Sequence, residues 1–214
     1  MPASDRQREQ AHAGLEQLAS LMRAQSWRAE GAPALPPTQA ATLRMLAAEP
    51  EGLRARQIAE RLGISAASLS DTLKTLESRG WIVRSTDPGD RRASIVRLAR
   101  QGRSTAARLS DPERGGAAGL LQALDTQDVG ALLRVTQLLV GEAQRQGLAS
   151  GMRTCMGCRF FQPYASGDPA RPHVCGFVGE PFGDPDLRVN CREQEPADAL
   201  LLADNHARFH TPPP

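Results

Sequence analysis

Apolar residues recur at helical spacing at two distant places in the chain. Over residues 5–29 four of them, separated by four, three and four positions, are Ala11, Leu15, Leu18 and Met22. Farther along, Leu132, Val135 and Leu139 repeat the same kind of spacing. Both patterns predict a long amphipathic helix whose apolar stripe needs a surface to pack against.

Between these helices the pattern changes twice. Residues 55–62 predict a short helix that Gly63 ends, and Ser65 is placed to cap a second helix over 66–79 that stops at Gly80. The runs "WIVRST" and "ASIVRLA" then predict two strands around the turn "DPGDRR". Two helices joined by a tight turn and followed by a hairpin are typical of a winged helix-turn-helix.

The helix over 66–79 divides into two faces. Leu69, Leu73 and Leu76 form the side expected to be buried, while small hydroxyl residues fill much of the other side. A helix of this kind fits the major groove of DNA. Residues 51–103 carry eleven basic and six acidic side chains, whereas the whole chain has a net charge of only +2. The positive charge is therefore concentrated where phosphates would lie.

The stretch "LGISAASLSDTLKTLESRGWIVRSTDPGDRRASIVRLARQGR" resembles the MarR family of bacterial transcriptional regulators. The shared motifs are "LExRG" at Leu76–Gly80, the "DxR" wing tip at Asp90–Arg92, and Gly102 in the next helix. The resemblance covers roughly residues 5–148. It implies an obligate homodimer, held by the first and last long helices, which binds a pseudo-palindromic operator; Leu15, Leu18, Leu132 and Leu139 are expected in the dimer core.

The resemblance also implies which residues contact DNA. Those of the recognition helix are Ser65, Ser68, Ser70, Thr72 and Lys74. Arg91 or Arg92 would reach the minor groove, and Asp90 would brace the wing through Arg92. Asp71 departs from the family pattern, since a basic residue often stands there and a carboxylate repels phosphate.

All four cysteines lie in the last third of the chain. Cys155, Cys158, Cys175 and Cys191 follow the pattern C-x2-C-x16-C-x15-C. The N-terminus lacks the apolar core of a signal peptide, so we expect a cytoplasmic protein whose thiols stay reduced. Four sulfurs at this spacing predict a metal site, and metal binding would help to fold a segment with few aliphatic residues.

Zinc and an iron–sulfur cluster are both compatible with four cysteines. Only the first pair is a CxxC knuckle, which is unlike the two knuckles of many structural zinc sites. Nearby arginines and the aromatics of residues 160–182 would suit a net-negative cluster, so the cluster is favoured over zinc. His173 is a possible replacement ligand, although a position behind the metal ligands or facing solvent is expected for it.

We therefore predict a mainly α protein with a small β wing, built as a winged helix-turn-helix with long dimerisation helices and a small irregular cysteine-rich module. The predicted divisions are a DNA-binding and dimerisation domain over 1–150, with its DNA-reading lobe at about 36–103, a metal module over 151–200, and a tail over 201–214. A nucleophile elbow, P-loop or HExxH motif is absent from the sequence, so an enzyme is not expected.

The predicted function is transcriptional regulation, with double-stranded DNA as partner and a cysteine site that senses redox state or iron. Two alternatives stay open at the level of sequence. One is a regulator that responds to a small organic effector and carries a purely structural zinc. The other is an iron–sulfur or electron-transfer protein whose winged helix only docks other proteins.

Overall fold

The computed structural model describes residues 3–26, 35–110, 117–148 and 151–211. Parts of two sequence predictions, the helix end at 27–29 and the tail residues 212–214, lie outside these ranges. The chain divides into two compact units, Met1–Ala123 and Leu124–Pro214. Within the described ranges no helix is both long and apolar enough to cross a membrane.

The first unit is a set of helices around a small antiparallel sheet. Its sheet has the order β1-β3-β2, with β2 and β3 paired from Ile82↔Leu98 to Asp87↔Asp90. The elements in chain order are α1 (Asp5–Ser26), α2 (Pro37–Ala47), β1 (Leu53–Arg54), α3 (Ala55–Leu62), α4 (Ala66–Ser78), β2 (Ile82–Asp87), β3 (Asp90–Leu98), α5 (Arg100–Leu109) and α6 (Ala117–Leu121).

Local chemistry explains the turn between α3 and α4. Gly63 ends α3 in the left-handed conformation, at φ 63°, which glycine adopts without a steric penalty. The Ser65 hydroxyl then accepts a hydrogen bond from the Ser68 N–H at 3.1 Å and so caps α4. The predicted winged helix-turn-helix is confirmed in both its helices and its hairpin.

The core of the first unit lies between α2, α3, α4 and the sheet. Its fully buried members include Leu43, Ile58, Leu73 and Leu76. Gly102 in α5 lies against the Trp81 backbone, because a Cβ there would lie 1.9 Å from the Trp81 carbonyl oxygen. The glycine of the predicted motif is thus required by packing.

The second unit combines one long helix with the cysteine-bearing segments. It has a three-stranded antiparallel sheet of order β4-β5-β6. The elements are α7 (Thr126–Arg145), β4 (Phe161–Gln162), β5 (His173–Cys175), β6 (Glu180–Phe182), a short 3-10 helix (Asp184–Asp186) and α8 (Ala199–His210).

A second hydrophobic core explains why these segments group together. Met156, Phe161, Leu187 and Phe209 are buried there, with Leu133 and Leu138 of α7 packed against them. The division therefore differs from the boundary predicted at residue 150, since α7 shares its core with the cysteine segments.

The C-terminal segment also differs from the predicted tail. Asp198 caps α8 by accepting a hydrogen bond from the Leu201 N–H at 2.8 Å, and Phe209 near its end is fully buried. Residues 201–210 are therefore helical and belong to the second core.

Candidate nucleic-acid interface and cysteine cavity

Helix α4 presents a polar outer face. Leu69, Leu73 and Leu76 are buried as predicted. Ser65, Ser68 and Lys74 are exposed, and Ser70 and Thr72 are half-buried. The predicted recognition residues thus occupy the outer face of α4 and its flanks.

Some of these hydroxyl groups already have partners inside the helix. The Ser65 hydroxyl lies 2.9 Å from that of Ser68 besides capping α4. The Thr72 hydroxyl donates to the Ser68 carbonyl at 3.0 Å. The Asp71 carboxylate faces solvent and lies 3.5 Å from Lys74 Nζ, one turn farther along α4. Lys74 therefore supplies the positive partner for the carboxylate that departs from the family pattern.

The wing places two arginines at its tip. Arg91 and Arg92 are both exposed, immediately after the turn between β2 and β3. Asp90 accepts a hydrogen bond from the Arg92 main-chain N–H at 3.0 Å. The Asp90 carboxylate therefore contacts the main chain of Arg92.

A second contact at the base of the wing was missed by sequence reasoning. Arg54 Nε donates to Asp87 Oδ2 at 2.5 Å across 33 residues, and the Gly89 N–H donates to the other carboxylate oxygen at 2.8 Å. The hydrogen bond from Arg54, and then the one from Gly89, lower the pKa of the buried Asp87 carboxyl. The pair fixes the strand end from which the wing tip projects.

The four cysteines, although spread over 37 positions, line one cavity of about 520 Å³ in the second unit. Aromatic residues, among them Phe160, Phe177 and Phe182, form much of the rest of the wall, and Arg171, Arg188 and Glu193 contribute charged groups. Cys158 is buried, and the other three are half-buried. The structure thus brings all four predicted ligands to a common space.

Main-chain hydrogen bonds hold the cysteine segments in register. The Cys155 N–H donates to the Arg188 carbonyl at 3.1 Å, and the Arg188 N–H donates to Cys155 Sγ at 3.3 Å. The Cys191 N–H donates to the Arg153 carbonyl at 3.0 Å. An N–H···S contact of this kind is one that stabilises a metal-bound thiolate.

Two of the thiols, Cys155 and Cys191, have a raised pKa. Burial raises the pKa of Cys155 to about 11. Burial, and then the hydrogen bond that its thiol donates to Glu193 at 3.3 Å, raises the pKa of Cys191. A metal would therefore have to displace the protons of these two thiols when it binds.

The common cavity does not by itself form a metal site. Across the described part of the chain, no three Cys, His, Asp or Glu side chains are grouped so that they could hold a metal ion. A single zinc would need four sulfurs at ~2.3 Å from one centre. An iron–sulfur cluster is likewise held by four cysteine thiolates, so the cavity wall offers the number of ligands that either group needs.

His173 does not line this cavity. It is fully buried, its Nε2 lies 2.8 Å from Asp184 Oδ1, and its Nδ1 accepts the Tyr164 N–H at 3.3 Å. With both ring nitrogens engaged, His173 is not a free ligand. The solvent-facing position considered for it is excluded, and its role is to hold β5 against the aromatic core.

Comparison with known proteins agrees with the geometry of the first unit. Residues 35–93 match the sequence model described as MarR family. A protein of Thauera aromatica, proposed as the transcriptional regulatory protein for the hcr operon, is 34% identical over an alignment of 101 residues that covers 40% of this chain. The match spans only 60% of that relative's length.

Solved structures show the same fold. A crystal structure of MarR is 24% identical, with a TM-score of 0.53, over 64% of this chain and 92% of that one. The transcriptional repressor CouR, bound to a 23-mer DNA duplex, is 28% identical, with a TM-score of 0.50, over 61% of this chain and 89% of that one. Residues 35–93 of this chain are therefore similar to the MarR family, and the fold around them is the winged helix-turn-helix of solved MarR structures.

Proposed function

We propose that the protein regulates transcription by binding a pseudo-palindromic DNA operator as a homodimer. The observation that carries the proposal is the MarR-like winged helix, with the polar face of α4 and the tip of the wing both exposed. Arg91 and Arg92 supply positive charge at the wing tip, where a minor groove would lie. The likeness to CouR, which was solved on a DNA duplex, supports the same use of these elements.

Exposed apolar stripes support the homodimer. On α1, Leu15, Leu18 and Met22 are 43–51% exposed, and on α7, Leu132, Val135 and Leu139 are 41–51% exposed. Contiguous apolar surface of this kind mostly marks a protein interface. A second copy of the chain is the partner proposed for both stripes.

The wing arginines provide the test of DNA binding. A duplex selected by the wild-type protein from a random pool would be titrated with Arg91→Ala, Arg92→Ala and the control Arg8→Ala, whose guanidinium pairs with Asp5 on α1. Each wing substitution removes one cationic contact from each protomer, two per dimer, so it should weaken binding and reduce the salt slope by about 2. Unchanged affinity and slope in both wing variants would remove the wing from the interface.

For the second unit we propose an iron–sulfur cluster held by Cys155, Cys158, Cys175 and Cys191. The common cavity and the N–H···S contact at Cys155 support this assignment, and Arg171 and Arg188 in the cavity wall would suit the negative charge of such a cluster. Such a cluster would supply a redox- and iron-dependent charge at the cavity. The DNA affinity of the protein would then change between its cluster-loaded and cluster-free states.

The metal proposal has a direct test. Protein purified without air should be brown, with charge-transfer absorption and bound iron and sulfide. Cys191→Ser should lose most of that absorption while its winged helix keeps its unfolding transition. A colourless wild-type protein with one zinc per chain would refute the cluster and favour a regulator with a structural metal. Full iron content in Cys191→Ser would remove Cys191 from the ligand set.

A further inference from the structure

One face of α7 is built to lie close to the cysteine-bearing segments. Two glycines on this face allow the approach: a Cβ at Gly130 would lie 3.1 Å from the Pro185 ring, and one at Gly141 would lie 2.6 Å from Met156 Cγ. Between them along the helix stands Gln137, whose side chain is fully buried.

Both ends of the Gln137 amide are hydrogen-bonded to the main chain beside Cys155. Its Oε1 accepts the Met156 N–H at 2.9 Å, and its Nε2 donates to the Arg188 carbonyl at 2.9 Å. That same carbonyl accepts the Cys155 N–H, and the Arg188 N–H reaches Cys155 Sγ. One side chain of α7 is therefore bonded to both strands of chain that position this sulfur.

The apolar stripe of α7 lies on other positions of the same helix. Leu132, Val135 and Leu139 are exposed, whereas Gln137 and Gly141 are buried against the cysteine segments. An α-helix moves largely as one rigid element over such a length, so a displacement of the buried face also displaces the stripe.

We propose that Gln137 is the positioning residue that couples occupancy of the cysteine cavity to α7, and through α7 to DNA affinity. This inference rests on the proposed metal-dependent regulator. Cys155 would be one of the residues that hold the cluster, and a movement of its sulfur on binding would be passed to the Arg188 main chain, whose N–H is hydrogen-bonded to that sulfur. The two buried hydrogen bonds of Gln137 survive that movement only if α7 follows it.

The test compares two glutamines on the same face of α7. Gln137→Met removes both hydrogen bonds at similar side-chain volume. The control, Gln144→Met, removes a bond of the same kind two turns away, where Gln144 Nε2 donates to the Met152 carbonyl at 3.0 Å. For each full-length protein, affinity for the selected duplex would be measured without metal and after anaerobic reconstitution with iron and sulfide.

The wild-type protein and Gln144→Met should show the same ratio of the two affinities, within the 5–150-fold range usual for coupled sites. In Gln137→Met the ratio should fall toward one while the cluster absorption and the metal-free DNA affinity are retained. In the metal-free protein, hydrogen exchange of the Met156 amide should accelerate in Gln137→Met and not in the control.

Retention of the full affinity ratio in Gln137→Met would overturn the inference. Gln137→Glu, which keeps the acceptor for Met156 and loses the donor to Arg188, serves as the second variant if Gln137→Met does not fold. Loss of cluster binding in both variants would also overturn the inference, since Gln137 would then be needed to form the metal site rather than to couple it to α7. A wild-type ratio of one, with the cluster bound, would refute metal-dependent regulation itself, and the inference with it.

Discussion

Phe209→Ala should unfold the second unit selectively. Phe209 is fully buried near the end of α8, and its ring lies against three aromatic partners: Phe161 at 5.5 Å, His173 at 5.2 Å and Tyr164 at 6.3 Å between centroids. The Arg134 guanidinium of α7 stands 4.4 Å over the same ring. Truncation of this one side chain removes contacts to α7, β4 and β5 together.

The cost can be estimated from these contacts. Deletion of a buried phenylalanine side chain destabilises a protein by ~3–5 kcal/mol. The upper half of that range applies here because aromatic pairs and a cation–π contact contribute beyond buried area. The Arg134 bond to the Phe209 carbonyl survives the substitution, which limits the loss to about 4 kcal/mol. Native stabilities are ~5–15 kcal/mol, so little would remain to hold this unit together.

Hydrogen exchange read by mass spectrometry can localise the effect. A loss of ~4 kcal/mol should accelerate exchange of second-unit amides, such as those of Phe161 and Gly176, by roughly a thousandfold if they open globally. Trp81 packs against the core of the first unit, so its fluorescence follows that unit. Its urea midpoint should stay unchanged.

Phe177→Ala is the matched control. Phe177 lies in the same unit and is 55% exposed, with one edge contact to Phe160 at 5.5 Å. Its truncation should cost about 1 kcal/mol or less. If Phe209→Ala and Phe177→Ala had equal effects, or if Phe209→Ala shifted the tryptophan transition, the assignment of a separate core around Phe209 would be refuted.

Three further predictions concern stability and assembly. Gly102→Ala should strongly lower the melting temperature detected by tryptophan fluorescence, because the added Cβ would clash with the Trp81 carbonyl. The control Gly14→Ala in α1, where nothing lies within 4 Å of the added Cβ, should raise helix stability by up to ~1 kcal/mol. Equal shifts in the two variants would contradict the packing argument. The Asp87 carboxyl has a lowered pKa in the folded state, so its contribution to wing stability is present above its unfolded pKa of ~3.9 and is lost as pH falls below that value toward the folded pKa. Hydrogen exchange of the wing amides should accelerate over this acidic range. Asp87→Asn should abolish this pH dependence. Leu139→Glu should weaken self-association measured by sedimentation. The control Leu148→Glu should not, because Leu148 is 73% exposed beyond the end of α7. A dimer as stable as the wild type in both variants would remove the α7 stripe from the interface.

The first unit could be predicted because its signals are local. Ser65, Gly63 and the turn of the wing act on residues within a few positions, and Leu69, Leu73 and Leu76 repeat at the period of the helix that buries them. Contacts between distant segments were not predictable in this way. The Arg54–Asp87 pair joins residues 33 positions apart. An arginine or an aspartate in a sequence does not indicate which distant residue it will pair with.

The second unit gave weaker signals for the same reason. In α8 the buried residues are Asn205 and Phe209, while Leu200 is 85% exposed, so the apolar pattern of the sequence does not mark the buried face. Gln137 is polar and stands in a helix, which predicts exposure; it is buried because Met156 and Arg188, far away in sequence, supply both of its partners. The cysteines could be grouped by spacing, but the shape of their cavity depends on the aromatic segments between them.

The same contacts indicate that the cysteine-bearing segment stabilises α7 itself. Glycine in a helix interior costs ~1 kcal/mol relative to alanine, and α7 contains Gly130 and Gly141 on the face that meets Pro185 and Met156. Gln137 on that face would lose both of its partners without the segment after residue 151. An isolated helix of 20 residues gains most of its stability from tertiary packing, and the face of α7 that packs within this unit is the one toward the cysteine segments. The apolar stripe proposed for dimerisation is thus presented by a helix whose stability depends on the segment proposed to hold the metal.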